Sequence, residues 1–226
     1  MRKIVLMMSV SLDGFFEGPN REIDWHRVNS EMLQHFNEEI SEFGALLSGR
    51  VTHELMAAYW PTADKDPGIG PEMAEFAAIW RNMPKVVFSR TLKRADWHTT
   101  VVSEVVPEEI RALKAQPGGD IGLGGADLAA EFLRHDLVDQ FRLYVHPVLI
   151  GRGKRLFPES EAPTGLRLIE TREFANGVVL LRYALDHAAD TSADTSDSID
   201  TSDKADTSDR TDTGAGTAGA SGSHET

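Results

Sequence analysis

The sequence contains no cysteine among its 226 residues. Without cysteine there can be no disulfide bond, no thiolate ligand for zinc and no thiol nucleophile, so three kinds of site are excluded together. The absence also fits a reducing compartment, and we expect a cytoplasmic protein. The eight histidines are scattered, and His53-Glu54 lacks the second histidine of a zinc-protease motif. We therefore expect no metal site.

A surplus of positive charge and a long apolar run are also missing. The formal net charge is −13, whereas a surface that binds nucleic acid or an anionic membrane needs clustered lysine and arginine. The apolar start "MRKIVLMMSV" is too short to span a bilayer, and the acidic "SLDGFFEG" follows it without a small-residue cleavage site. We expect neither nucleic acid nor a membrane as a partner, and we interpret the start as a buried strand.

Most of the negative charge lies in the C-terminal segment. From Asp186 onward there are ten acidic residues against Lys204 and Arg210, so this segment carries about −8 of the net charge. Its repeats of Asp, Thr and Ser include almost no large apolar residues and cannot bury enough surface to offset chain entropy. The sequence predicts a folded domain at residues 1–187 and a disordered acidic tail at residues 188–226.

Strand and helix patterns alternate ahead of the tail. Short apolar runs such as "ALLS", "KVVFS" and "DIGL" are separated by segments of helical periodicity such as "SEMLQHFNEEISEF" and "PEMAEFAAIWRNM". The last two strands, "GLRLIETREF" and "GVVLLRYAL", meet at Asn176-Gly177, a dipeptide suited to a type I′ turn. We predict an α/β fold with about eight strands in a mixed sheet covered by helices, ending in an antiparallel hairpin.

A glycine-rich stretch follows one of these strands. In "DIGLGGADLAAEFLRHDLVD", Gly124 and Gly125 lie between a strand and a helix, where backbone N–H groups along the helix axis can bind an anion. The Rossmann fingerprint is incomplete because Asp127 stands where its third glycine would be. Taken alone, a tight bend and a phosphate-binding turn are equally good explanations.

Two more strand ends have groups that suit a phosphate. "LLSGRVTHEL" repeats the strand–glycine–helix order and adds Arg50, which can pair with a phosphate, and Thr52, which can either cap the helix or bond a phosphate through its hydroxyl. "VVFSRT" puts Ser89 and Arg90 at a strand end, and a hydroxyl beside an arginine suits the 2′-phosphate on adenosine ribose. Each has an ordinary structural explanation, but three together favour a phosphorylated cofactor.

The first strand ends in "SVSLDGFFEG", which contains Asp13. An Asp-Gly pair after a strand is usually a turn, but in a cleft Asp13 could contact substrate or assist proton transfer. Trp25, Tyr59 and Trp60 could line such a cleft, although aromatic residues at such positions are more often part of the core. We interpret His146 as a strand-end histidine without a catalytic role.

These motifs together resemble the dihydrofolate reductase-like family, in the bacterial branch of RibD C-terminal domains, which includes the reductase domain of riboflavin biosynthesis. The resemblance runs from about Arg2 to Leu185. It rests on "MSVSLDGFFEG", "LLSGRVTHELM", "KVVFSRTL", "DIGLGGADLAAEFLRHDLVDQFRLYVHPVLIGRGKRLF" and the terminal hairpin. It implies a central eight-stranded sheet flanked by helices, NADPH as cofactor and a homodimer.

The resemblance also implies roles for individual residues. It implies that the cofactor phosphates contact Gly49, Arg50, Val51 and Thr52. The adenosine 2′-phosphate is expected beside Ser89 and Arg90. The pyrophosphate is expected at Gly124, Gly125 and Ala126, with Leu123 and Leu128 as neighbours. Motif position makes Asp13 the candidate catalytic and substrate-binding residue and Arg152 a further substrate contact. For the carboxylate that folate reductases place on the helix after the first strand, neither Asp24 nor Glu31 gives a secure alignment.

The expected function is therefore that of an NADPH-dependent reductase. Hydride from the nicotinamide would reduce a small heterocyclic, carbonyl or imine substrate, in a reaction like that of dihydrofolate reductase or of the riboflavin pathway. The alternative is a protein that binds NADPH or another nucleotide without efficient turnover.

Overall fold

The computed structural model describes residues 1–157, 159 and 162–186. The predicted tail at 188–226 lies outside the described residues. The strands are β1 Ile4–Ser11, β2 Phe15–Glu17, β3 Ala45–Gly49, β4 Lys85–Phe88, β5 Thr99–Val102, β6 Ile121–Gly124, β7 Gln140–His146, β8 Lys154–Arg155, β9 Leu166–Glu173 and β10 Val179–Leu185. The helices are α1 Ser30–Ser41, α2 Arg50–Tyr59, α3 Pro71–Asn82, α4 Pro107–Ala115 and α5 Ala126–Arg134, and a 3₁₀-helix, Trp60–Lys65, follows α2.

Eight strands form one mixed sheet in the order β5-β4-β3-β6-β1-β7-β10-β9. The strands from β5 to β7 are all parallel, whereas β10 is antiparallel to both β7 and β9. The predicted eight-stranded sheet with a terminal hairpin is confirmed. A second small sheet, in which β2 pairs with β8, was not predicted.

The core lies on both faces of the sheet. On one face, Leu6 and Leu123 pack with Phe132 of α5; on the other, Val5 packs with Phe43. Neighbouring residues of a strand point to opposite faces, and both Val5 and Leu6 are fully buried. The first strand is therefore central and covered on both sides, which explains why it is apolar over most of its length. In the described part of the chain, none of the helices has the length and apolar character needed to cross a membrane.

The predicted type I′ turn at Asn176-Gly177 is wrong, although the hairpin itself is present. Five residues, 174–178, separate β9 from β10. Gly177 has a φ of +82°, and Asn176 is not among the residues at positive φ, whereas a type I′ turn needs both. The Phe174 side chain is buried against Met32 and Tyr144, so the first residue of this connection belongs to the core.

A cluster of charged side chains ties α1 to the C-terminal hairpin. The carboxylate of Glu39 accepts hydrogen bonds from Arg142 of β7 and from Arg182 of β10, the latter at 3.3 Å. Arg182 also pairs with Glu170 of β9 at 2.8 Å. Glu39 and Arg142 are both buried. When one partner of a buried ion pair is removed, the other charge loses its compensation, which costs more stability than the intact pair contributes.

We expect the substitution Glu39→Gln to lower the free energy of unfolding by about 3 kcal/mol, because it leaves Arg142 buried beside a neutral group. Urea denaturation of both proteins measures this difference. The control is Glu38→Gln on the exposed side of the same helix, which should change stability by less than about 0.5 kcal/mol. Equal losses from the two substitutions would contradict a structural role for the Glu39 cluster.

Candidate functional site

The parallel strands bring their carboxyl ends to one edge of the sheet. At this edge Gly49 ends β3 and Gly124 ends β6, and the two strands are neighbours, with Ser48 opposite Gly124. The connection that begins with α2 runs to β4, and the connection that begins with α5 runs to β7. In the sheet, β4 and β7 lie on opposite sides of the β3–β6 pair. Ligands of open α/β sheets bind in the crevice that forms where adjacent connections diverge in this way. We call residues 49–52 and 124–126 the glycine junction.

Two helices begin at the glycine junction without side-chain caps. Gly49 precedes α2 and Gly125 precedes α5, and neither helix has a side chain that accepts hydrogen bonds from its first turn. The first N–H groups of both helices are therefore available, and the positive ends of both helix dipoles favour an anion. A Cβ atom added at Gly125 would lie 2.9 Å from Thr52 Oγ1, so the two first turns are in contact.

The glycines leave room for a ligand. A Cβ atom added at Gly49 or Gly124 would meet no atom within 4 Å. Gly125 has a φ of +95°, which side chains rarely tolerate, and its N–H donates to the sulfur of Met8 at 3.2 Å. The junction thus combines free backbone donors with open space, and such a combination can accommodate an anion.

The polar side chains predicted to bind phosphate lie on α2 at the junction and after β4, the strand next to β3. Arg50 pairs with Glu54 at 2.6 Å on the exposed surface of α2. The Ser89 hydroxyl accepts from the backbone N–H of Leu92 at 2.9 Å and closes the turn after β4. Arg90 is exposed and makes no ion pair with any residue that the structure describes. Of these side chains, Arg90 is the one most readily available to a ligand.

Two predicted neighbours of the cofactor belong to the core. Leu123 and Leu128 are 1% and 7% exposed and pack in the cluster on the α5 face of the sheet. Their side chains support the junction from below, and only their backbone borders it. Val51, in contrast, is exposed on the first turn of α2.

Asp13 is held by three hydrogen bonds at the end of β1. Its carboxylate accepts from the Ser11 hydroxyl at 2.6 Å and from the backbone N–H groups of Ile150 and Gly151 at 3.3 and 2.7 Å. The Ser11 hydrogen bond, followed by those from the backbone, lowers the pKa of Asp13 below its usual value. The ionised carboxylate thus ties the first strand to the loop at residues 147–153, which carries Arg152.

His146 lies at the same edge, and the sequence assigned no functional role to it. It is fully buried, and its Nδ1 accepts from the backbone N–H of Arg27 at 3.0 Å. The ring stacks on His26 with centroids 5.0 Å apart, and Trp25 packs edge-on at 5.5 Å. Burial lowers the pKa of both histidines to about 4. The two neutral rings hold the segment between β2 and α1 against the strand ends.

The other predicted aromatic residues lie elsewhere. Tyr59 ends α2 and Trp60 follows it, so both lie at the opposite end of this helix from its first turn. Trp60 packs on Phe76 of α3 with ring centroids 4.2 Å apart. Among the described contacts, none joins this pair to Trp25 or Asp13. No group of three metal-ligating side chains occurs within the described residues either.

Comparison with known proteins identifies the family. The model of the RibD C-terminal domain matches residues 2–180. The Bacillus subtilis (strain 168) protein YyaP, itself named only as uncharacterized, is 37% identical over 183 residues, which cover 80% of this chain and 94% of that protein.

Solved structures have the same fold. A protein from Shewanella sp. PV-4 matches with a TM-score of 0.63 at 19% identity, over 82% of this chain and 99% of that one. The diaminohydroxyphosphoribosylaminopyrimidine deaminase/5-amino-6-(5-phosphoribosylamino)uracil reductase of Thermotoga maritima matches with a TM-score of 0.57 at 16% identity, over 82% of this chain and 57% of that one. Because the family model matches most of the sequence, and YyaP is similar over nearly its whole length, the chain belongs to the RibD C-terminal domain family.

Proposed function

We propose that the protein is an NADPH-dependent reductase of a small heterocyclic, carbonyl or imine compound. The observation that carries this proposal is the glycine junction, where two uncapped helix N-termini meet beside two glycines with open space. The Thermotoga protein of the same fold is named as a reductase of an aminouracil, which supports a heterocycle as the substrate class.

The chain's own groups would bind and orient the cofactor. The first N–H groups of α2 and α5, with Thr52 between them, would hold the pyrophosphate. Arg50 and Arg90 would neutralise the remaining phosphate charge, and Ser89 would border the adenosine 2′-phosphate. When bound, NADPH supplies the hydride, and the protein supplies position and exclusion of water.

Asp13 is the proposed substrate contact. Because its pKa is lowered, the carboxylate stays ionised near neutral pH and is a poor proton donor. As a fixed acceptor, it would orient an N–H group of the substrate. Arg152, in the loop that Asp13 holds, would contact the same substrate.

One observation favours the alternative, a protein that binds a nucleotide without efficient turnover. Both oxygens of the Asp13 carboxylate already accept hydrogen bonds from the chain itself. Three of the roughly four acceptor sites of the carboxylate are thus occupied, which would leave the edge of the sheet with a cofactor site and only a weak substrate site.

The proposed partner is a second copy of the chain. Strand β9 lies at the edge of the sheet, and its side chains Leu166, Leu168 and Ile169 are exposed. An exposed apolar edge strand favours pairing with another strand. A homodimer would cover this edge.

We expect Gly124→Ala to weaken NADPH binding at least about tenfold while leaving the melting temperature nearly unchanged, because the added methyl group enters open ligand space. Calorimetric titration and thermal unfolding measure the two effects. The contrasting variant is Gly153→Ala, whose Cβ would meet the Glu17 carbonyl in a residue at positive φ; it should lose stability. Unchanged NADPH affinity in Gly124→Ala would refute the proposed phosphate site.

We expect Asp13→Asn to lower kcat/KM about tenfold or more without changing the Kd for NADPH, because a charged acceptor for the substrate is lost. Oxidation of NADPH with a panel of aminopyrimidines and pterins, followed by absorbance, measures turnover. Asp24→Asn is the control, since Asp24 is exposed in the same region. A loss of turnover in Asp24→Asn alone would transfer the role to that residue. NADPH binding without oxidation by any member of the panel would support the alternative.

Sedimentation velocity at micromolar concentration should show a dimer for the unmodified chain and a monomer for Leu168→Glu, because the new charge would be buried at the interface. Leu55→Glu, on an exposed position of α2, should remain dimeric. A monomer in the unmodified chain would contradict the proposed homodimer.

A further inference from the structure

A groove beside Arg90 contains acidic as well as basic side chains. It has a volume of about 340 Å³ and lies beyond the ends of β4 and β5 next to α5. Its lining consists of Phe88, Ser89, Arg90, Ser103, Glu104, Val105 and Glu131. In the proposed function, the adenosine end of the cofactor would occupy this groove, since Ser89 and Arg90 form part of its wall.

The two carboxylates of the groove differ in their partners. Glu131 is bonded to Arg134 and, at 3.1 Å, to His135 of its own helix. Glu104 and Arg90 are exposed and make no ion pair with any residue of the described part of the chain. The groove therefore presents one uncompensated positive and one uncompensated negative charge to a ligand.

Of these two charges, Arg90 favours the binding of NADPH and Glu104 favours the binding of NADH. The 2′-phosphate of NADPH is a phosphate monoester with a charge of about −1.5 to −2 at neutral pH, so Arg90 attracts it and Glu104 repels it. NADH has a hydroxyl at this position, and a carboxylate at the adenosine ribose is the usual acceptor for that hydroxyl. An arginine alone would select NADPH, whereas an arginine with a free glutamate admits both.

We propose, on the basis of the proposed function, that Glu104 is a specificity-determining residue that lowers the preference for NADPH over NADH. The groove then accepts the adenosine end of either cofactor. Glu131 contributes less because its charge is shared with Arg134 and His135.

The test is calorimetric titration of the full chain with NADPH and with NADH, at low and at high salt. In Glu104→Gln the ratio of NADPH affinity to NADH affinity should rise about three- to tenfold, because one like charge near the 2′-phosphate is removed and a hydrogen-bond acceptor is kept. The rise should shrink at high salt because ions screen exposed charges. In Arg90→Ala the same ratio should fall.

The matched control is Glu109→Gln, which removes the same charge from an exposed position on α4 outside the groove. If Glu104→Gln leaves the ratio unchanged while the unmodified chain binds NADPH, the inference is overturned and the proposed cofactor stands. If Glu109→Gln raises the ratio equally, the effect belongs to net charge and the inference is likewise overturned. If the unmodified chain binds neither nucleotide, both the proposed function and the inference fail.

Discussion

The first backbone N–H groups of α2 and α5 have no side-chain caps, and they lie side by side at the ends of β3 and β6. Donors of this kind need water or a ligand, and two converging helix dipoles favour an anionic one. Their position depends on the parallel pairing of β3 with β6, and that pairing depends on the buried first strand that supports β6. The central sheet thus brings two helix N-termini together, and the proposed cofactor site follows from its topology.

The proposed substrate contacts are built differently, from loops rather than from helices. Asp13 bonds the end of β1 to the loop at 147–153, and His146 holds the segment between β2 and α1 through the backbone of Arg27. These contacts join parts of the chain that are more than a hundred residues apart. A loop fixed by so few bonds can differ between relatives while the sheet stays the same, so one fold can carry different substrates.

Charge is distributed in keeping with this division. The chain is acidic as a whole, yet Arg50 lies on the glycine junction and Arg90 lines the groove beyond β4 and β5. The buried cluster of Glu39, Arg142 and Arg182 has a separate purpose, because it fixes α1 to the C-terminal hairpin. Local placement of charge, rather than net charge, therefore decides what the strand-end edge can bind.

The sequence by itself determined the α/β class, the eight-stranded mixed sheet and the position of the glycines that precede α2 and α5. These features are local, because hydrophobic periodicity and glycine act within one element and its boundary. Only the tertiary structure decided the length of the turn at Asn176, the three donors to Asp13, the burial of His146 against the rings of Trp25 and His26, and the presence of Glu104 in the same groove as Arg90. In each case the partners come from different elements, and a sequence read locally contains no sign of which side chains the packing will bring into contact.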